Sequence, residues 1–522
     1  MTERTIPNGI MIDHGSAPAS RGGRRGMQPT RAETNRNEEE DRVARRTGVT
    51  VTGAAAYLLP VRMRVPLKFG AQVLDSVTCL RVAVEVRTRD GGRAVGWGET
   101  PLSVQWSWPS AADYERRQAA MIRLSLACTR AIAGFGEAGH AMEIGDAFRH
   151  GMLPSLAVES GDPALPEPIP ELASLVCLSA VDLAIHDAYG KVHGLDTYAT
   201  YGPDHLSRDL ADFFGGDLAA EDRAAFRGRH PADFLDPAPP TDLLAWHLVG
   251  GLDPLDDGDL TGAEPRDGHP VTLEQWIDRD GLECLKVKLR GTDLDWDVDR
   301  LLRVAAIGFP RGVTRFCADF NCTVHDPGYV HAALDAVAAR DPRLPRHLLY
   351  VEQPFPYDLH AFPIDVHTLG ARTPLFLDES AHDWRYVAEG RRLGWNGVAL
   401  KTCKTQTGAL LSLAWARAHG MDVMVQDLTN PMLAAIPHAR LAAHARTLAG
   451  VETNAMQFYP EASNPEAAVH PGIYRRRRGR IDIGSLAGPG FGMRVAEIDR
   501  VLPEPAVVAG SIEVHQPAEP LR

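Results

Sequence analysis

The feature that most constrains this chain is a series of five short apolar runs, each carrying charge at its end. They are Leu285-Lys286-Val287-Lys288-Leu289, Arg315-Phe316-Cys317-Ala318-Asp319-Phe320-Asn321, Leu348-Leu349-Tyr350-Val351-Glu352-Gln353-Pro354, Leu375-Phe376-Leu377-Asp378-Glu379-Ser380 and Gly397-Val398-Ala399-Leu400-Lys401. From Lys288 through Asp319, Glu352 and Asp378 to Lys401 the steps are 31, 33, 26 and 23 residues. Each step has room for one strand, one helix and two short loops, so the pattern predicts repeated βα units on a parallel sheet. Amphipathic segments at 297–307 and 330–339 supply helices between the runs. In a barrel of such units the strand-end residues face one common mouth, where barrel enzymes keep their chemistry. Three acids and two or three lysines are then expected to converge on one site.

The residue types suggest the chemistry. Asp319, Glu352 and Asp378 are hard oxygen donors with no Cys or His among them, a set that suits Mg²⁺, or Mn²⁺, better than zinc. Three converging carboxylates repel one another unless a cation stands between them. A lysine that is partly desolvated beside such a cation shifts toward ~7–8, where it exchanges protons near neutral pH. Lys288 and Lys401 end strands about four units apart, hence on opposite sides of a barrel. Two such bases would remove a proton α to a carboxylate and return one to either face.

These motifs resemble the enolase superfamily, in its muconate-lactonizing and dipeptide-epimerase branch. The family's Lys-x-Lys stands here as Lys286-Val287-Lys288, its Asp-x-Asn as Asp319-Phe320-Asn321, its Glu-Gln-Pro as Glu352-Gln353-Pro354 and its Asp-Glu-Ser as Asp378-Glu379-Ser380. Its sixth-strand lysine is Lys401, with a second lysine at Lys404. The resemblance implies a (β/α)7β-type barrel of the TIM kind (residues 242–480) under an N-terminal α+β capping domain (49–200, completed by about 481–502). It implies Asp319, Glu352 and Asp378 as metal ligands, Lys288 and Lys401 as acid/base groups and Lys286 as their support. Asn321, Glu379, Lys404, Asp427 and Glu452 are expected as supporting or substrate-binding residues. The chain departs from the family after strand six, where Lys404-Thr405-Gln406-Thr407-Gly408 replaces Lys-x-Gly-Gly. It departs again after strand eight, where Glu452-Thr453-Asn454 replaces Asp-x-Asp, and strand seven ends in Gln426-Asp427 rather than the His of mandelate racemases. Racemisation or epimerisation of a small carboxylate is the expected reaction. A lyase, dehydratase or cycloisomerase using the same residues is the alternative, and a catalytically silent binding protein is a third reading.

The 522 residues suffice for two domains with accessories. A net charge of −13 argues against nucleic acid as a partner. Seven cysteines without metal spacing point to reduced thiols, and no apolar run approaches the roughly 20 residues that span a bilayer. A cytoplasmic enzyme, homo-oligomeric and without membrane contact, is expected. Residues 1–48 read as a disordered tail, with an Arg21-Gly22-Gly23-Arg24-Arg25 cluster, and 503–522 as a loose tail. Strands are expected at 49–59, 76–87 and 94–98, with helices at 111–133 and 171–193. In the second of these helices, His186 and Asp187 read as packing residues. The cap stretches 62–71 and 102–110, the latter with Trp106 and Trp108, are placed to close over the mouth. Residues 201–241 read as an insertion on the linker. An acidic insertion at 250–270 (Asp253, Asp256, Asp257, Asp259) falls between the first barrel strand, 243–249, and its helix. The eighth strand is expected at 451–458, and the Arg475-Arg476-Arg477-Arg478 run as a solvated surface or oligomer contact rather than an anion site.

Overall fold

The computed structural model describes residues 43, 46–69 and 72–513. Most of the expected N-terminal tail, with its Arg21–Arg25 cluster, and residues 514–522 lie outside the described residues.

The chain begins its fold with a meander: β1 (Val49–Phe69), β2 (Gln72–Thr88) and β3 (Arg93–Pro101) pair antiparallel in sequence order. β1 and β2 run farther than expected, because 62–69, read from sequence as part of a loop, stays paired to 72–76 beyond a bulge between Arg62 and Leu67. Two helices cover this sheet, α1 (Tyr114–Ile132, capped by Asp113, which accepts from Arg116 N) and α2 (Glu171–Val192). α2 packs so closely on β3 that a Cβ at Gly96 would stand 2.2 Å from Ala184 O, and one at Gly98 2.1 Å from Ala180 O. Only glycine permits that approach. Contrary to the sequence expectation, α2 is long and apolar enough to cross a membrane by length and composition. Its apolar window is wholly buried in the fold, as befits a helix that is hydrophobic all round.

Eight parallel strands follow: β4 (Asp242–Val249), β5 (Cys284–Lys288), β6 (Arg315–Asp319), β7 (Leu348–Glu352), β8 (Leu375–Leu377), β9 (Gly397–Leu400), β10 (Asp422–Val425) and β11 (Val451–Glu452). The ladder runs unbroken from β11 to β4 and on through β5 to β10, giving a nearly closed barrel. At the remaining seam Leu448 N donates to Val423 O (2.8 Å). The outer helices include α3 (Leu273–Asp280), α4 (Leu294–Gly308), α5 (Pro327–Arg340), α6 (Trp384–Leu393), α7 (Gln406–Ala418) and α8 (Ala435–His444). Trp246, Cys284, Cys317, Tyr350, Phe376 and Met424 fill the barrel interior. The next inward positions toward the mouth are the charged ones.

Three expectations need correcting, on the eighth strand, the C-terminal tail and Arg476. The eighth strand is only two residues long: the Asn454 side chain accepts from Leu248 N (3.0 Å), which ends the ladder, and a helical turn follows at Ala455–Phe458. The expected loose tail from residue 503 supplies a further strand, β13 (Val507–Gly510), after β12 (Arg480–Asp482) pairs with β4. β13 covers the exposed edge of β1, registering Gly510 with Gly53. Arg476 is buried rather than solvated, and its Nε donates to Asp280 (2.9 Å). The 201–241 insertion is a packed layer, with Phe214 and Phe226 buried edge to face (4.6 Å) and Phe214 against Trp384 (4.8 Å).

All seven cysteines are free thiols. Asp187 ties the cap together, accepting from Trp97 N and Phe491 N (both 2.9 Å), while His186 Nε2 meets Thr407 Oγ1 on the barrel helix α7 (3.0 Å).

Candidate active site

The strands deliver their terminal side chains by parity. On β5, Cys284, Lys286 and Lys288 point inward, as do Cys317 and Asp319 on β6 and Tyr350 and Glu352 on β7. In sheet register Lys288 lies beside Asp319, and Asp319 beside Glu352. Gln353 locks the next pair of motifs: its Oε1 accepts from Asp378 N (2.8 Å) and Ser380 N (3.2 Å), and its Nε2 donates to Ser380 Oγ (2.8 Å). β5 and β9 are four strands apart in a ring of eight, so Lys288 and Lys401 stand across the mouth from each other.

The acids and lysines interleave. Lys286 Nζ reaches Glu352 (2.5 Å), Glu452 (3.0 Å), Asp319 (3.1 Å) and Gln426 (3.2 Å). Lys288 Nζ donates to Asp319 (2.5 Å). Lys401 Nζ lies 3.3 Å from Asp378 and donates to Gln426 Oε1 and Asp427 O, both at 3.3 Å. Lys404 donates to the Asp378 carbonyl. Asp427 accepts from Asn454 N (2.9 Å) and Nδ2 (3.1 Å), and Asn454 Nδ2 also donates to Glu452 (2.8 Å). Asn321 Nδ2 donates to Glu379 (3.2 Å), whose other oxygen has no partner. Lys286, Lys288, Lys401, Asp378, Asp427 and Glu452 line one small cavity of about 20 Å³. Asp319 and Glu352 lie behind the lysines, and Lys404, Asn321 and Glu379 stand outside that lining.

Sequence reasoning left out Gln426, and the cap stretches it placed over the mouth supply Trp106 and Leu67. Gln426 donates to Glu352 (2.6 Å) while accepting from both Lys286 and Lys401; its inward parity with Met424 was the available signal. Trp106 is buried, with its ring under the Lys401 and Lys404 ammoniums (5.4 and 5.5 Å to the centroid), so it lines the site; Trp108 is core. Leu67 of β1 closes the cavity from the cap side.

Six buried carboxyl groups (Asp319, Glu352, Asp378, Glu379, Asp427, Glu452) face four buried ammoniums (Lys286, Lys288, Lys401, Lys404). The deficit shows in the acids. Burial, with Asp319 and Asp378 nearby, pushes Glu352 up to about 8, and burial beside Asp378 and Asp319 pushes Glu379 up to about 7. Asp427 is also raised, mainly by burial. Asp319 is held low: Lys288 and Lys286 outweigh the burial that would raise it. Lys286 and Lys401 are held above the usual lysine range, since Glu352 and Asp378 respectively overcome their burial; Lys404 is lowered by burial. The downward shift was expected for lysines beside a bound cation; of Lys286, Lys401 and Lys404, Lys404 alone is lowered by its protein surroundings. Among the described residues no group of three His, Cys, Asp or Glu side chains is arranged to hold a metal ion, because lysines stand between the acids. The donor set nevertheless fits a divalent cation: all the acids are hard oxygen ligands, and their excess over the lysines is two charges.

His438 belongs to the wall of this site. Its Nε2 meets Glu452 O (2.7 Å), and burial lowers it to about 4. The unfolded chain therefore takes up a proton here from pH 6.5 downward while the fold does not, so this group's effect on stability is absent above 6.5 and grows adverse toward pH 4. His438→Gln keeps a donor but cannot titrate. Between pH 7 and pH 5 it is expected to lose about 2 kcal/mol less stability than the wild type, read from urea midpoints at the two pH values.

The family model described as Enolase C-terminal domain-like matches residues 271–498. That match spans β5 to β11 with every candidate acid and lysine, so this part of the chain is similar to the enolase C-terminal domain. Solved structures resemble it over most of its length. A muconate lactonizing enzyme from Mycobacterium smegmatis, complexed with muconolactone, is 16% identical over 85% of this chain and 96% of its own, with a TM-score of 0.53. A dipeptide epimerase from Enterococcus faecalis, complexed with Mg and the dipeptide L-Leu-L-Tyr, is 16% identical over 85% and 99%, with a TM-score of 0.55. An N-succinyl Arg/Lys racemase from Bacillus cereus is 15% identical over 85% and 95%, with a TM-score of 0.53. At such identities these likenesses speak for the fold. No curated protein matches the sequence significantly.

Proposed function

We propose that this chain is a member of the enolase superfamily, and an isomerase that removes the proton α to the carboxylate of a small acid and returns one from the opposite side. The observation that carries this reading is the placement of two buried lysines, Lys288 and Lys401, across one cavity at the barrel mouth. Lys401 starts protonated, because Asp378 overcomes the effect of its burial, so it serves as proton donor in one direction, with Lys288 facing it across the cavity. Returning the proton from the other face inverts the α-carbon. Lys286 and Gln426 orient the acids around both lysines, and Trp106 with Leu67 excludes water. The cavity has room for about one water, so the cap must withdraw these two side chains to admit a substrate.

Asp319, Glu352 and Asp378 would hold Mg²⁺, or Mn²⁺. When bound, such a cation would supply positive charge against the negative charge that builds on the substrate carboxylate. A second reading, a lyase or cycloisomerase, is favoured by the Lys401 environment: an ammonium held this firmly by Asp378 over the Trp106 ring can serve as a fixed cation rather than a base. The test is incubation of a panel of carboxylic acids in D₂O with Mg²⁺. Deuterium appearing at the α-carbon of a substrate without a mass-changed product supports isomerisation; a product of different mass supports the second reading. Neither outcome across the panel would favour a silent scaffold.

A further inference from the structure

A second cavity, of about 390 Å³, lies outside the barrel wall near the mouth. It is bounded by the outer face of β4, by α3, by the acidic 250–270 insertion and by Arg64, Val65 and Pro66 of β1. One strand separates it from the candidate active site. His247 and Val249 of β4 face this cavity, while the alternating Trp246 and Leu248 face the barrel interior and the small mouth cavity.

Two of its lining side chains are buried with a polar atom left unsatisfied. His247 is 1% exposed and Gln457 3% exposed, and neither His247 Nδ1 nor Gln457 Oε1 has a partner. Leaving such groups unpaired is costly, and each calls for a partner. Gln457 Nε2 already donates to Asp253 Oδ2 (3.0 Å), which leaves its carbonyl oxygen as an open acceptor. Burial, with Arg476 and Arg279 nearby, keeps the His247 imidazole neutral, so it has a ring nitrogen able to accept.

Acidic side chains outnumber basic ones in the lining, while Arg476, held by Asp280 (2.9 Å), stands near His247 outside it. Asp253, Asp259 and Glu264 line it, against Arg64 alone among the lining arginines and lysines. Arg64 is engaged by Asp267 (2.5 and 3.0 Å) and by His269 O (3.2 Å). Of the neighbouring cations, Arg300 is tied to the Gly250 and Asp253 carbonyls, and Arg303 to Asp256 and Asp259. Arg279 stacks over Trp276 (4.3 Å), which leaves the polar end at Gln457 and Asp253 as the seat for an added charge. The remaining lining is apolar, with Val65, Val249, Leu252, Leu273 and Trp276.

We propose that this cavity is a second ligand site, for a small organic cation: a protonated primary amine on a short apolar body. An ammonium has three donors and no acceptor, which matches Gln457 Oε1, His247 and the Asp253 carboxylate. The apolar body would occupy the space between Leu252 and Trp276. The cavity's volume is within the range of small-molecule sites.

Benzylamine, benzyl alcohol and benzoate, titrated into the full chain by calorimetry, test this directly. Benzylamine is expected to bind saturably with one site, benzyl alcohol about tenfold more weakly or worse, and benzoate not at all. Gln457→Leu and His247→Phe are each expected to weaken benzylamine about tenfold or more, with melting curves showing whether both variants remain folded. Lys401→Met, in the mouth cavity, should leave the affinity unchanged. Absence of saturable benzylamine binding to the wild type at millimolar concentration overturns the proposal, as does equal binding of benzoate. A change of affinity in Lys401→Met, in either direction, would move the amine to the active site and overturn it as well.

Discussion

Lys288→Ala is expected to remove α-proton exchange from one enantiomer of the substrate, and Lys401→Ala from the other. A positioned general base contributes ~10²–10⁴-fold, so each variant should fall by that factor for one enantiomer while exchange of the other persists. The asymmetry follows from geometry: the lysines end strands four apart in a ring of eight, and each reaches one face of a flat intermediate. Proton NMR in D₂O on each enantiomer separately reads the result. Arginine at either position should not restore exchange, because its guanidinium stays protonated and cannot accept. Both variants leave a carboxylate with one fewer ammonium, Asp319 in the first case and Asp378 in the second. A melting curve for each is therefore needed beside the rate. Equal loss of both enantiomers with either variant would favour the lyase reading, in which one lysine is base and the other a fixed cation.

The barrel was readable because its signal is local. An apolar run ending in Asp, Glu or Lys, repeated at βα spacing, places a charge at the same height on every strand, and β5 to β9 appear where those runs end. What escaped depends on contacts between distant segments. Gln426 looks like any polar strand end until Lys286, Lys401 and Glu352 surround it. Val507–Gly510 is too short to announce itself, and is a strand only because β1 leaves an edge for it. Arg476 sits in a run of four arginines, yet Asp280 draws that one inward. Backbone strain around the site was equally silent. Asn321, Cys322, Gln353, Thr405 and Thr429 all have positive φ (46°, 66°, 31°, 71° and 57°), each one to three residues beyond a site acid or lysine. Asn tolerates that conformation, but a β-branched Thr resists it, at a cost of order 1–3 kcal/mol. Thr405 is held there by its own contacts, its hydroxyl accepting from Gly408 N (2.9 Å) at the start of α7. Such strain gathered at the ends of β6, β7, β9 and β10 turns the chain sharply, leaving the strand-end side chains at the mouth.

Glu352→Gln is expected to lower the affinity for Mg²⁺ by tenfold or more, about 1.4 kcal/mol, as read by titration calorimetry against the wild type. The substitution keeps the shape of the side chain and an oxygen for Lys286, while removing one formal charge from six buried carboxyls facing four lysines. With that charge gone the acidic excess is halved, and a hard dication loses one of its anionic ligands. Gln426 Nε2 donates to Glu352 Oε2 at 2.6 Å in the wild type, so the amide NH2 of the variant meets a donor there unless Gln426 turns its own amide over. Burial pushes Glu352 up to about 8, so exchanging the carboxyl for a neutral amide is expected to leave the metal-free fold intact. A metal-free melting temperature near the wild-type value, together with weakened Mg²⁺ binding, would place Glu352 among the cation's ligands. Equal Mg²⁺ affinity in the two proteins would remove it from that role and leave Lys286 as the natural partner of this carboxylate.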